Sequence, residues 1–304
     1  MIDQNETFND TWPFRPNFFA GNGFKQHYID EGPKDGETLV FLHGEPTWGY
    51  LYRKFIPPFS RNYRVIVPDH MGFGKSETPQ NKVYTLKTHT ENLSALIETL
   101  DLDNITFIGQ DWGGPILGAF SIRYPEKVKR IVLLNTAISY SRVQFPRKLT
   151  PWFSWIKKHH DQGTLDGILG ESGSTVLSIM KIIGFENSSV VDQDWINAYS
   201  SQFPDRDSCI GAIEFPLDVI LGRIREYIVE GLKTGNLEKL TRKPAMLAFG
   251  LKDNGFNSEY AISDFKALFP NAPVTTFENA GHFCQEDVPE ILIPLISQFI
   301  QLTE

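Results

Sequence analysis

The sequence predicts an α/β architecture in which a mostly parallel sheet with flanking helices carries a helical cap inserted late in the chain. Short apolar runs bounded by turn residues alternate with stretches of helical periodicity, the pattern that strand–helix–strand connections leave in a sequence. The alternation stops near Ser139 and resumes near Pro244, with a stretch rich in Trp, Phe and Pro between. The 304 residues, 41% hydrophobic and 13% aromatic, suffice to bury one large core. Residues 1–138 and 241–304 are therefore expected to form the core domain, and residues 139–240 a helical cap over the carboxyl ends of the strands, where open α/β sheets bind ligands.

In chain order, "TLVFLHG", "YRVIVPDHMG", "NITFIGQDWGG", "RIVLLNTA", "PAMLAFGLKD" and "APVTTFENAGH" each read as a strand running into a loop. "TLKTHTENLSALIETL" reads as a helix, because Leu86, Leu93, Leu96, Ile97 and Leu100 recur at helical spacing. "GFGKS" resembles a phosphate loop, but that motif requires glycine where Asp69 stands, so the stretch reads as a turn.

Composition excludes several function classes. A net charge of −8 and a pI near 5.4, without a basic stripe, oppose binding to nucleic acid. No segment reaches the roughly 18 consecutive apolar residues of a membrane span, and "MIDQNETFND" lacks the apolar region of a secretory leader. Cys209 and Cys284 are too few and too far apart to form a disulfide framework or a metal site, and a cytoplasmic location is expected. His159 and His160 have no neighbouring ligand pattern and read as solvated.

The chemistry concentrates at strand ends. "GQDWGG" follows a strand and opens a helix, which is the G-x-S-x-G nucleophile-elbow pattern with Asp111 in the serine position. The flanking Gly109 and Gly113 leave room for a turn that lifts the middle side chain above the sheet. Asp253 in "GLKD" and His282 in "NAGHF" follow the next strand ends in the nucleophile, acid, histidine order this pattern requires. Asn135 occupies another strand end but cannot supply a charge. In "FLHGEPTW" the backbone N–H of Glu45 is placed to pair with that of Trp112 as an oxyanion hole, a role for the amide rather than the carboxylate.

Together "HGEPTWGYLYRKFIPPF", "VPDHMGFGKSETP", "GQDWGG", "GLKD" and "NAGHF" resemble the haloalkane dehalogenase family of the α/β-hydrolase fold, and the Glu45 form of the first motif resembles its first subfamily. The resemblance spans residues 24–138 and 244–299 and is poor in the cap. It implies Asp111 as nucleophile, His282 as base, Asp253 as acid and Trp112 as a halide-binding indole. It also implies a second halide donor from a cap tryptophan. Trp152 and Trp155 lie in that region, but their spacing suits packing. An aspartate is ionised near neutral pH and can attack an sp³ carbon without a base to deprotonate it. The resulting ester is cleaved by water that a neutral histidine activates. The implied partners are a small apolar electrophile, water and halide, and neither metal nor organic cofactor is needed. Epoxide hydrolases and β-lactone-processing relatives share the Asp–His–Asp set, the former adding two cap tyrosines, for which Tyr140, Tyr199 and Tyr227 are available. A non-catalytic receptor on the same scaffold is the remaining alternative, and an intact triad argues against it.

Overall fold

The computed structural model describes residues 2–141, 143 and 148–304. Among these, eight strands join in one sheet: β1 (Asn17–Phe19), β2 (Gln26–Glu31), β3 (Thr38–Leu42), β4 (Arg64–Pro68), β5 (Ile105–Gln110), β6 (Val128–Leu134), β7 (Ala245–Gly250) and β8 (Val274–Phe277). Their spatial order is β1-β2-β4-β3-β5-β6-β7-β8, parallel from β4 to β8, with β1 and β2 added antiparallel at one edge. All six strands expected from the sequence are present, and β3, β5 and β7 are buried at every residue, as continuous apolar runs in a parallel sheet should be. The two unforeseen strands lack such a run. β1 has three residues, and β2 reads Gln-His-Tyr-Ile-Asp-Glu, its Asp30 paired to Arg64 of the neighbouring strand at 3.0 Å.

The register aligns the carboxyl ends of the central strands. Leu42 lies opposite Gly109, Gln110 opposite Leu134, and Leu134 opposite Ala248, so the loops after β3, β5, β6 and β7 open on one edge. The helix Leu86–Thr99, capped by Thr85, packs against the helix Gly113–Arg123 beside the sheet. Between β6 and β7 the chain forms the helices Pro151–Asp161, Leu165–Leu169, Ser172–Ile183, Gln193–Ser200, Ile210–Ile220, Ile224–Thr234 and Leu237–Thr241.

This insertion is tied to the sheet domain by buried polar contacts. The Trp48 indole donates to the Ala198 carbonyl at 2.8 Å, and the Gln202 side chain joins the Pro46 carbonyl (2.8 Å) to the Gly74 amide (3.0 Å). Glu286, wholly buried, accepts from Arg53 at two points, from the Trp195 indole at 3.2 Å and from the Tyr199 hydroxyl at 2.7 Å. Burial alone would raise its pKa, but Arg53, the Tyr199 hydroxyl and the nearby Lys54 charge hold it below the ordinary value. Behind Trp48 lies the amino-terminal segment: Phe8 and Trp12 pack on Trp48 and Tyr50, and the Lys75 ammonium donates to the Gln4 and Glu6 carbonyls. Among the described residues, no helix is long and apolar enough to cross a membrane.

Glu286→Ala would leave the Arg53 guanidinium, only 10% exposed, without its counter-charge. Removing one partner of a buried pair typically costs about 3–5 kcal/mol. Urea unfolding of this variant should show a loss of that order, and a loss below about 1 kcal/mol would mean that solvent replaces the pair.

Candidate active site

β5 ends at Gln110 and the following helix begins at Gly113, so the chain turns within two residues. Asp111 takes up the turn at φ 50°, a left-handed conformation that costs a non-glycine residue about 1–3 kcal/mol. The flanking glycines serve close approach instead. A Cβ on Gly113 would lie 2.2 Å from the Leu42 carbonyl oxygen, and one on Gly109 would lie 2.4 Å from Leu117. The Asp111 carbonyl accepts from the Thr136 hydroxyl at 2.5 Å and the Gly114 amide at 3.0 Å, which fixes the strained turn. Its carboxylate Oδ1 accepts from the Glu45 amide at 2.8 Å. That contact requires Gly44, where a Cβ would lie 2.1 Å from Oδ1.

His282 comes to the other carboxylate oxygen: its Nε2 lies 3.3 Å from Asp111 Oδ2, and its Nδ1 lies 3.0 Å from Asp253 Oδ2. Asp253 Oδ1 accepts from the Gly255 and Phe256 amides at 2.7 and 2.9 Å. Asn135, set aside as an acid for want of charge, braces this acid. Its side chain donates to Asp253 Oδ2 at 2.9 Å and exchanges hydrogen bonds with the Gly250 backbone. Its strand-end position, one strand from Asp253, was the available signal. The insertion holds the same loops, since the His282 amide donates to the Gly184 carbonyl at 2.7 Å and the Asn254 amide to the Ile183 carbonyl at 2.8 Å.

Burial and charge oppose each other at His282. Desolvation lowers its proton affinity, but the Asp253 and Asp111 carboxylates outweigh it and push the pKa up to about 10. Glu45 behaves oppositely. Burial and the neighbouring Asp111 charge raise its pKa well above the ordinary carboxyl range, against a smaller lowering by His282. Its Oε1 is buried and has no hydrogen-bond partner among the described residues.

Trp112 lies at this site, buried, and stacks on Phe215 of the insertion at 4.4 Å and 13°. Trp152 and Trp155 stack on each other at 5.4 Å, and Trp155 also meets His159. The indoles of Trp48 and Trp195 are bonded to Ala198 and Glu286. The insertion ring against Trp112 is thus a phenyl. The three tyrosines are engaged elsewhere: Tyr140 with Arg123, Tyr199 with Glu286, and Tyr227 beneath the Arg123 guanidinium at 3.6 Å. Lys75 of "GFGKS" is held by the Gln4 and Glu6 carbonyls of the amino-terminal segment. Cys209 and Cys284 are buried and unpaired. Among the described residues, no group of three or more His, Cys, Asp or Glu side chains is arranged to hold a metal ion.

Residues 37–166 match the alpha/beta hydrolase fold family. The chain is 32% identical to a cis-3-alkyl-4-alkyloxetan-2-one decarboxylase of Shewanella oneidensis, over 96% of this chain and 90% of that protein. It is 33% identical to a haloalkane dehalogenase of Psychrobacter cryohalolentis, over 90% of this chain and 86% of the other. The solved structure of a tetrameric haloalkane dehalogenase from Paraglaciecola agarilytica superposes with a TM-score of 0.75 at 29% identity, covering 92% of this chain and 91% of that one.

The raised proton affinity of His282 fixes the sign of a pH dependence. A group whose folded pKa exceeds its unfolded value stabilises fully below the unfolded value, here near 6.5, and the stabilisation is lost as pH rises through about 10. The difference in melting temperature between wild type and His282→Gln should therefore shrink steadily from pH 6.5 to 10. A difference that widens over that range contradicts a charged imidazole between two carboxylates.

Proposed function

The chain belongs to the haloalkane dehalogenase family of the α/β-hydrolase fold and is an enzyme of hydrolase type, and on that premise we propose that it cleaves carbon–halogen bonds of haloalkanes through an ester on Asp111. The observation that carries this reading is the carboxylate at the turn after β5, with an imidazole 3.3 Å away that in turn contacts a second carboxylate. In the first step an Asp111 oxygen attacks the sp³ carbon, the carbon–halogen bond breaks, and halide departs with the electron pair. The Trp112 indole N–H takes up the developing charge, as a donor with no acceptor to repel it.

Esterification removes the negative charge from Asp111. One of the two carboxylates that hold the proton on His282 is then gone, so the ring can release that proton to solvent. The neutral imidazole, oriented by Asp253, takes a proton from water, whose oxygen attacks the Asp111 carbonyl carbon. The Glu45 and Trp112 amides receive the oxyanion. Collapse returns Asp111 and gives the alcohol, so the balance is haloalkane plus water to alcohol plus halide and a proton. We assign the chain a small apolar substrate and a cytoplasmic location; two buried, unpaired cysteines accord with the latter.

A second reading, processing of a β-lactone, is favoured by the likeness to the oxetanone decarboxylase over 96% of the chain and by the phenyl, rather than an indole, set against Trp112. Epoxide opening has less support, since Tyr140, Tyr199 and Tyr227 are engaged away from Asp111.

A screen of short and long bromoalkanes beside an epoxide and an alkyl-substituted oxetan-2-one separates these substrates. The mechanism is tested by His282→Gln, in which displacement remains possible and ester cleavage does not. With a bromoalkane this variant should release about one halide per site and then stop, its Asp111 peptide gaining the mass of one alkyl group. In wild type, one turnover in heavy-oxygen water should label Asp111. A label confined to the alcohol would make Asp111 a general base and overturn the proposal.

A further inference from the structure

Each backbone N–H assigned to the oxyanion belongs to a peptide whose other end is a carbonyl. The Glu45 N–H shares its peptide with the Gly44 carbonyl, and the Trp112 N–H shares its own with the Asp111 carbonyl. A wholly buried threonine holds each of these carbonyls. The Thr47 hydroxyl donates to Gly44 at 2.9 Å, and the Thr136 hydroxyl, from the loop after β6, donates to Asp111 at 2.5 Å. Further donors join them, the Thr47 amide on Gly44 and the Gly114 amide on Asp111, both at 3.0 Å. His43 adds a third to Gly44. Its Nε2 accepts from the His70 amide, so its proton sits on Nδ1, 3.0 Å from the Gly44 carbonyl oxygen, and burial lowers the proton affinity of the ring.

Donors on a carbonyl oxygen polarise the whole peptide and strengthen the N–H at its far end. A hydroxyl bonded to a carbonyl three residues back, as in Thr47, is a common turn device. One supplied from another strand end, 25 residues away, is not, and it reaches Asp111 only because Gly114 leaves room: a Cβ there would lie 2.2 Å from the Thr136 hydroxyl oxygen. What the two threonines share is the oxyanion donor at the other end of the peptide each one holds.

Resting on the ester assigned to Asp111, we propose that Thr47 and Thr136 are positioning residues that aim and polarise the Glu45 and Trp112 N–H groups for ester cleavage. Oδ1, already in contact with the Glu45 amide, stays behind as the ester carbonyl oxygen. When the water oxygen bonds to the Asp111 carboxyl carbon, the C=O electron pair moves to Oδ1 and the water proton to His282. The N–H groups then meet more charge than in the ester, so their strength accelerates this step. Displacement runs the other way, because charge leaves the carboxylate and strong donors at Oδ1 hold it back.

The test compares Thr47→Val and Thr136→Val, which keep shape without the hydroxyl, with Thr47→Ser and Thr136→Ser, which keep the hydroxyl. In rapid-quench reactions with a bromoalkane, each Val variant should cleave its ester about three- to tenfold more slowly, as for loss of one hydrogen bond. Halide release in the first turnover should be unchanged or faster, and the Ser variants should recover ester cleavage. Amide resonances of the resting protein give a readout free of substrate. Thr47→Val should move the Glu45 amide proton upfield more than that of Trp112, and Thr136→Val should do the reverse. Equal slowing of both steps, Ser variants as slow as Val, or unmoved resonances overturn the proposal, and if one Val variant does not fold the other threonine decides. If the resonances move as stated and no bromoalkane is esterified, the haloalkane reading fails and the positioning role stands.

Discussion

Charge balance in a closed space governs this molecule's active region. Asp111 and Asp253 flank one wholly buried imidazole, the buried Glu45 sends its amide to Asp111, and isolated charges there would be expensive. The His282 imidazole is shared by Asp111 and Asp253, whose charges raise its proton affinity against burial, while burial and the Asp111 charge raise that of Glu45. Every local feature serves that balance. Gly44 admits the Glu45 amide to Asp111, Asn135 and two loop amides saturate Asp253, and the strained backbone of Asp111 aims its carboxylate between them.

The insertion is part of the same construction. Its carbonyls at Ile183 and Gly184 accept from Asn254 and His282, and Asp287 accepts from the amides of Glu186, Asn187 and Gly281. Acid loop and histidine loop are thereby bound to one short segment, and Gly281 lets the Gly184 backbone come close, since a Cβ there would lie 2.2 Å from the Gly184 carbonyl oxygen. Precision in the spacing of Asp253 and His282 thus depends on residues far from either in sequence.

What was legible in the sequence is what local chemistry determines. Continuous apolar runs marked the buried strands, and glycines around Asp111 marked the turn, because both are demanded by the backbone within a few residues. Asp253 and His282 could be placed because their order along the chain is tied to strand order. The edge strands β1 and β2 were missed, since partial burial and a cross-strand ion pair replace the apolar signal. Phe215 on Trp112 and Glu286 beneath the insertion arise from contacts across more than eighty residues, the Glu45 Oε1 is without a hydrogen-bond partner among the described residues, and no periodicity records them.

The packing of Phe8 and Trp12 behind Trp48 carries a practical meaning. Trp48 lies three residues past Glu45, so the loop whose amide meets Asp111 Oδ1 rests on Phe8 and Trp12. This end is a wedge rather than a tail. Loss of this wedge would leave the rings of Trp48 and Tyr50 without their aromatic backing and loosen the stretch of chain next to Glu45.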